Sequence, residues 1–242
     1  MTYGLLGRRL DYSFSRRYFT DKFERERLPH RYLNFELPSL EGLPQVLRKH
    51  ENLHGLNVTI PYKREIFAYL DRVDEVAEAV GAVNTIGFGA GGLTGFNTDV
   101  IGVRHTLGEL LGLGLPSHVY VLGTGGAAQA VCYVLDELQL VHTLVSRTPA
   151  KDQLSYQQLD AEVAPGALLV NTTPVGTYPG VDEMPPVSPS ALRRCAFVFD
   201  LVYNPAQTLL LRKAAAYGCR TINGLPMLIG QAEASWHIWQ AA

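Results

Sequence analysis

Cysteine, charge and long apolar runs are all scarce in this chain of 242 residues. Its three cysteines, Cys132, Cys195 and Cys219, are an odd number without C-x-x-C spacing, so neither a disulfide framework nor a zinc site is indicated. No apolar stretch approaches the roughly 18 residues of a membrane span, and the first residues contain no apolar segment of signal-peptide length. These absences predict a globular, cytoplasmic protein without a membrane partner.

Basic clusters and the motifs of metal or nucleophile chemistry are missing as well. The formal net charge is −2 at pH 7, whereas a nucleic-acid surface normally shows a clustered basic excess. The seven histidines are scattered, and the sequence contains no H-E-x-x-H, G-x-S-x-G or P-loop motif. We therefore expect no nucleic-acid partner and no metal site.

Short β-rich runs alternate with segments of helical period along nearly the whole chain. This alternation is typical of an α/β protein with largely parallel sheets. One series of strands and helices precedes residue 99 and a second series follows it. The length is enough for two lobes that each bury a core, so the predicted fold class is α/β with two lobes.

A glycine-rich turn, Gly123-Thr-Gly-Gly-Ala-Ala128, follows the apolar run 119–122 and opens a helical segment. The pattern G-x-G-x-x-A between a strand and a helix is typical of a Rossmann-type site, where the backbone approaches a pyrophosphate at the helix N-terminus. A plain tight connection between strand and helix is the alternative interpretation. The strand and helix on either side favour the dinucleotide interpretation.

The residues after the next strand favour one dinucleotide over the other. An NAD site usually has Asp or Glu roughly 20 residues after the turn, where it binds the ribose 2′-hydroxyl. This chain has Ser146, Arg147 and Thr148 instead. A guanidinium and two hydroxyls suit a 2′-phosphate, which predicts NADP, although an ordinary polar turn would look the same.

Lys63 and Asp99 each lie where a predicted strand ends, which is where α/β sheets bind ligands. A lysine and an aspartate that meet across a cleft can relay a proton to or from an alcohol oxygen during hydride transfer. The spacing alone leaves other roles open, because Lys63 could be a solvated lysine and Asp99 a helix N-cap.

Seven motifs that run in order along essentially the whole chain resemble the signatures of shikimate dehydrogenases. They are Gly55–Lys63, Gly81–Thr85, Gly95–Asp99, Gly123–Ala128, Asn171–Gly176, Asp200–Pro205 and Asn223–Leu228. The resemblance implies a reversible, NADPH-dependent reduction of 3-dehydroshikimate to shikimate in aromatic amino-acid biosynthesis. A quinate/shikimate dehydrogenase that uses NAD and a catalytically silent NADP-binding regulatory protein remain open alternatives.

The resemblance also implies roles for individual residues. Lys63 and Asp99 match the catalytic pair. The matching substrate contacts are Ser13, Ser15, Thr59, Asn84, Tyr203 and Gln231. The matching cofactor contacts are Gly123, Gly125, Gly126, Ala127, Ala128, Ser146, Arg147, Thr148 and Gly224. The implied partners are small molecules alone, and the chain is expected to be a monomer or a homodimer.

The resemblance divides the chain into two domains. Residues 1–98, completed by a C-terminal helix over residues 223–242, form the expected substrate-binding domain, and residues 99–222 form the expected Rossmann-like NADP-binding domain. Two stretches depart from the family pattern. Arg9, Tyr12 and Arg16 replace the usual proline, histidine and proline, and residues 148–167 look too short for the usual helix plus strand.

Overall fold

The computed structural model describes residues 1–10, 13–112 and 114–241, so the predicted departure at Tyr12 lies outside the described residues. The chain divides into two compact units, one formed by residues 1–98 with the chain from residue 232 onward, the other by residues 99–231. Within the described residues, no helix is both long enough and apolar enough to cross a membrane. In that same part of the chain, no three His, Cys, Asp or Glu side chains are grouped so that they could hold a metal ion.

The first unit is built on a mixed six-stranded sheet. Its strands are β1 (Thr2–Gly7), β2 (Arg31–Glu36), β3 (Leu53–Val58), β4 (Arg72–Val73), β5 (Thr85–Gly89) and β6 (Gly92–Phe96), in the spatial order β2-β1-β3-β5-β6-β4. Its helices are α1 (Phe14–Arg25), α2 (Leu43–Lys49) and α3 (Glu75–Val80), with 3₁₀ turns at Leu40–Gly42 and Glu65–Tyr69. β1 pairs in parallel with β2 and β3, and β5 pairs antiparallel to β3 and β6.

Alternation along β1 separates two apolar clusters on the two faces of this sheet. Tyr3 belongs to the cluster that also contains Phe19, Trp236 and Trp239, whereas Leu6 belongs to the other. This follows from the two-residue period of a strand, which sends successive side chains to opposite faces. The tryptophans lie on the last helix, so the end of that helix is part of the core of this unit.

The second unit is built on a parallel five-stranded sheet. Its strands are β7 (Val119–Leu122), β8 (His142–Val145), β9 (Ala167–Asn171), β10 (Cys195–Asp200) and β11 (Arg220–Asn223), in the order β11-β10-β9-β7-β8. Its helices are α4 (Asp99–Leu111), α5 (Gly126–Glu137), α6 (Tyr156–Glu162), α7 (Pro189–Leu192), α8 (Leu209–Ala216) and the start of α9 (Leu225–Ala241). β7 lies between β8 and β9, so the strand order reverses there and opens a crevice at the carboxyl ends of β7 and β9.

The α/β prediction with two lobes and a Rossmann-like unit is confirmed. Residues 148–167, which look too short for the usual helix plus strand, do contain a helix, α6. Ser155 and Gln158 form a capping box that starts this helix. The strand expected beside this helix is reduced to an isolated bridge between Leu154 and Val145.

The boundary between the two units lies at residues 231 and 232, within α9, whereas the sequence suggested that the whole helix joins the first unit.

Candidate active site

The loop after β3 carries two predicted site residues, Thr59 and Lys63. The N–H of Thr59 donates to the carbonyl oxygen of Leu6 at 2.9 Å, so the loop begins beside the carboxyl end of β1. The carbonyl oxygen of Lys63 accepts from the N–H of Val83 at 2.8 Å, which holds the loop beside the segment that contains Asn84. Both side chains are half-buried. The structure therefore brings Thr59 and the segment of Lys63 to the carboxyl end of β1, the kind of sheet edge at which α/β proteins bind ligands.

Ser13 and Ser15 lie at the N-terminus of α1. The Oγ of Ser13 accepts from the N–H of Arg16 at 3.1 Å, so Ser13 is the N-cap of the helix. An oxygen that caps a helix can still donate its O–H to a carboxylate. Ser15 hydrogen-bonds the hydroxyl of Tyr32. Burial raises the pKa of Tyr32 well above its ordinary value, and the bond from Ser15 offsets part of that rise.

Asn84 precedes β5 and is buried, with 3% of its surface exposed. Its Oδ1 accepts from the N–H of Thr98 at 2.7 Å, and its Nδ2 donates to Thr98 Oγ1 at 3.0 Å. Because a backbone N–H can only donate, this bond fixes which end of the amide is the oxygen. Thr98 thus holds the side-chain amide of Asn84 in one orientation.

Asp99 is the first residue of α4 and is 7% exposed. A carboxylate in the first turn of a helix is stabilised by the helix dipole. Asp99 begins the second unit, whereas Lys63 belongs to the first. The predicted pairing of Lys63 with Asp99 stays a prediction.

Tyr203, Gly224 and Gln231 lie in the second unit. Tyr203 follows β10 and is half-buried, and burial raises the pKa of its phenol. A Cβ at Gly224 would collide with the carbonyl group of Leu201, so only glycine permits this close approach of the two segments. Gln231 is 6% exposed, and its Nε2 donates to the carbonyl oxygen of Leu228 at 3.0 Å.

The glycine-rich turn connects β7 to α5 at the point where the strand order reverses. Gly123 has φ of +108°, and a Cβ there would lie 2.7 Å from Thr172 Oγ1 at the end of the neighbouring strand. Gly125 is the N-cap of α5 without any side-chain capping bond. A Cβ added at Gly125 or Gly126 would meet no protein atom within 4 Å. Packing within the chain therefore does not require glycine at these two positions.

The open turn fits the diphosphate of a dinucleotide. The first N–H groups of α5, a helix of 12 residues, have no partner within the helix and bring the positive end of its dipole to this turn. Missing Cβ atoms leave room for a phosphate to approach those N–H groups closely. Ala127 and Ala128 continue the helix, and Ala128 is fully buried, which suits close packing of helix on sheet.

Ser146, Arg147 and Thr148 directly follow β8, which neighbours β7. Thr148 N donates to Ser146 Oγ at 3.2 Å, so the serine shapes the turn. The Arg147 side chain is exposed, and its charge acts to lower the pKa of Tyr156, against a larger rise from burial. An exposed guanidinium at this position has the charge and geometry to bind a phosphate.

Sequence reasoning assigned no role to several buried polar residues that shape these segments. In the first unit these are Asn57, Thr85, Thr98 and Ser235, and in the second they are Asn171 and Asp200. The sequence feature that these residues share is a polar side chain at the end of an apolar strand or on an apolar stretch of helix. This feature indicates that the side chain is buried, but it does not identify the hydrogen-bond partner, which lies far away in the sequence.

Comparison with known proteins identifies the family of this chain. Residues 5–86 match the family described as the shikimate dehydrogenase substrate binding domain. A protein named shikimate dehydrogenase (NADP(+)) from Methanococcus maripaludis is 35% identical over an alignment that covers 98% of this chain and 90% of that protein.

Solved structures give the same result. A chorismate mutase/shikimate 5-dehydrogenase fusion protein from Clostridium acetobutylicum superimposes with a TM-score of 0.90 and 36% identity, covering 99% of this chain and 91% of that one. Shikimate 5-dehydrogenase from Thermus thermophilus, solved in complex with NADP(H) and shikimate, gives a TM-score of 0.86 and 31% identity over 100% and 94% of the two chains. The predicted family is thereby confirmed, and the chain belongs to the shikimate dehydrogenases.

Proposed function

We propose that this chain catalyses the reversible, NADPH-dependent reduction of 3-dehydroshikimate to shikimate, a step of aromatic amino-acid biosynthesis. The observation that carries the proposal is that the loop with Thr59 and Lys63 is hydrogen-bonded through its backbone to the segment that contains Asn84, so that neutral hydrogen-bonding residues lie beside the segment of Lys63. A small acid with several hydroxyl groups needs many such partners. Ser13 and Ser15 add two hydroxyls at the start of α1, which can bind a carboxylate without a full counter-charge.

NADP is the cofactor of this reaction, and it supplies the hydride when it is bound. The curated relatives carry NADP(+) in their names, in agreement with the expectation from Arg147. In the proposal, the turn Gly123–Ala128 holds the diphosphate and Ser146, Arg147 and Thr148 bind the 2′-phosphate. Gly224 is proposed to lie near the nicotinamide.

The chain's own residues handle the proton. A ketone that accepts a hydride becomes an alkoxide, which must receive a proton. In the proposed mechanism the Lys63 ammonium donates this proton to the carbonyl oxygen and stabilises the negative charge that develops there. Asp99 orients the lysine and accepts a hydrogen bond from a substrate hydroxyl. Thr59, Asn84, Tyr203 and Gln231 hold the ring in place for the transfer.

Loss of NADPH absorbance in the presence of 3-dehydroshikimate tests this function. We expect turnover with NADPH and much weaker turnover with NADH. The reverse reaction is measured with shikimate and with quinate, each with NADP and with NAD. Preference for quinate with NAD would favour a quinate/shikimate dehydrogenase. Binding of NADP without any turnover would favour a regulatory protein.

The remaining partner and location proposals follow from the same chemistry. The reactants are small molecules, so no macromolecular partner is needed for the reaction. We propose a cytoplasmic enzyme that is either a monomer or a homodimer. Cell fractionation tests the location, and sedimentation equilibrium distinguishes the two assembly states.

A further inference from the structure

Three hydroxyl groups from distant parts of the chain meet inside the first unit. Ser235 Oγ on α9 lies 2.8 Å from Thr85 Oγ1 and 3.2 Å from Thr98 Oγ1, and the two threonine oxygens are 3.1 Å apart. All three residues are at most 1% exposed. Buried hydroxyls cost free energy unless they are paired, and in each of these three contacts either oxygen can be the donor.

The triangle is tied to both sides of the proposed substrate site. Asn57 Nδ2 donates to Ser235 Oγ at 2.9 Å, and its Oδ1 accepts from the Tyr32 hydroxyl at 2.7 Å. Tyr32 in turn is hydrogen-bonded by Ser15, a proposed contact of the substrate carboxylate. On the other side, Thr98 holds both ends of the Asn84 amide.

Ser235, like Thr85 and Thr98, has no place in the proposed binding or catalytic set, and it is the member of the triangle that α9 contributes. It supplies one proton donor and an acceptor to a cluster in which Asn57 is a fixed donor. Without its oxygen, the hydroxyls of Thr85 and Thr98 would have to find other partners. Asn84 Oδ1 is within hydrogen-bonding distance of both, 3.2 Å from Thr85 Oγ1 and 3.1 Å from Thr98 Oγ1, so without Ser235 both hydroxyls would be left to donate to this one oxygen.

We propose that Ser235 is a positioning residue for the substrate, which acts by keeping the Asn84 amide in its binding orientation. The proposal rests on the proposed function, because it uses the contact of Asn84 with shikimate. Ser235 Oγ gives the hydroxyls of Thr85 and Thr98 a second partner besides Asn84 Oδ1, so that they need not both donate to the oxygen that already accepts from the N–H of Thr98. The network consists of neutral groups throughout, so the orientation it imposes does not change with protonation near neutral pH.

The test is the effect of Ser235→Ala on the two Michaelis constants. We expect the KM for shikimate to rise about tenfold, the loss typical of one misplaced hydrogen bond, while the KM for NADP is unchanged and kcat changes less than the KM. Thr106→Val is the matched control. It removes a fully buried hydroxyl in the second unit, one that donates to the carbonyl oxygen of Gly102 at 2.8 Å. It should leave the KM for shikimate unchanged.

A double variant distinguishes positioning from a general loss of stability. If Ser235 acts through Asn84, the double variant Ser235→Ala/Asn84→Ala should have the same KM for shikimate as Asn84→Ala alone. Multiplied effects would overturn the proposal, and so would an unchanged KM in Ser235→Ala. If the alanine variant does not fold, the KM for shikimate is measured with Ser235→Cys, which keeps nearly the same side-chain volume but forms only weak hydrogen bonds.

The proposed function and the role of Ser235 fail in different ways. A wild-type protein that does not turn over shikimate with NADP overturns both. A wild-type protein that does so, together with a Ser235→Ala variant of unchanged KM, overturns the role of Ser235 alone.

Discussion

The side-chain amide of Asn171 donates a 2.9 Å hydrogen bond to Asp200 Oδ1, which ties together the last residues of the neighbouring strands β9 and β10. Asp200 also accepts from the N–H of Val202 at 3.1 Å and from Thr208 Oγ1 at 2.6 Å. Thr208 is the N-cap of α8. One fully buried carboxyl group thus fixes both ends of the loop that carries Tyr203.

The buried carboxyl group makes stability depend on pH. Burial raises the pKa of Asp200 above its ordinary value of 3.8, and the three donors offset part of the rise. A raised pKa means that the folded state keeps this proton to a higher pH than the unfolded state does. The contribution of Asp200 to stability is therefore greatest below pH 3.8 and declines as the pH rises through the folded-state pKa.

Asp200→Asn removes this titration and keeps the side-chain size. We expect the wild-type protein to lose stability relative to the variant as the pH is raised from below 3.8 toward neutrality. Urea unfolding of both proteins at a series of pH values measures the difference. A difference that stays constant across the series, or that changes in the opposite direction, contradicts the assignment.

Much of the fold could be predicted from the sequence because the strongest patterns in the sequence are local. A glycine-rich turn between an apolar strand and a helix needs no distant partner to be recognised, and the same holds for the strand ends before Lys63 and Asp99. The helix α6 was missed because it has only seven residues and follows a polar turn. Its capping pair, Ser155 and Gln158, was the one local signal that could have revealed it.

The buried polar network could not be predicted in the same way. Asn57 and Ser235 are 178 positions apart in the chain, and only the packing of α9 brings them within 2.9 Å. Each looks by itself like a polar residue in an apolar segment. Ser13 shows the related ambiguity, since a helix cap and a carboxylate contact place the same residue type at the same position.

The second prediction concerns the replacement of Gly125 by alanine. Its φ of −81° is accessible to alanine and a Cβ meets no protein atom within 4 Å, so Gly125→Ala should fold normally. The methyl group would enter the space proposed for the cofactor's diphosphate, so we expect the KM for NADP to rise about tenfold or more. Steady-state kinetics with NADP as the varied substrate measures the change.

Gly108→Ala is the matched control for this variant. Gly108 lies within α4, is exposed, and also has open space where a Cβ would lie. Alanine there should stabilise the helix by about 0.5–1 kcal/mol and leave the KM for NADP unchanged. Equal KM values for Gly125→Ala and the wild type would show that the diphosphate binds elsewhere.

The third prediction concerns the choice between NADP and NAD. Arg147 is exposed directly after β8, so its loss should not disturb packing. We expect Arg147→Ala to raise the KM for NADPH at least about tenfold and to leave the KM for NADH nearly unchanged, since only NADPH carries the 2′-phosphate. Arg194→Ala removes another exposed arginine of the same unit and should change neither constant. Equal losses with both cofactors would mean that Arg147 has a different role.

The fourth prediction concerns the proton donor. Lys63→Met keeps the volume of the side-chain stem and removes the ammonium group, so the alkoxide loses both its proton source and its stabilising charge. General acid catalysis contributes about 10²–10⁴-fold, and we expect kcat for 3-dehydroshikimate to fall by that factor. NADPH binding, measured by fluorescence titration, should remain intact.

Lys49→Met is the control for this variant. It makes the same chemical change at the exposed end of α2, away from the site, and should leave kcat unchanged. Turnover of Lys63→Met close to the wild-type value would transfer the role of proton donor to Asp99, Tyr203 or water, while the reaction itself would still be that of the family.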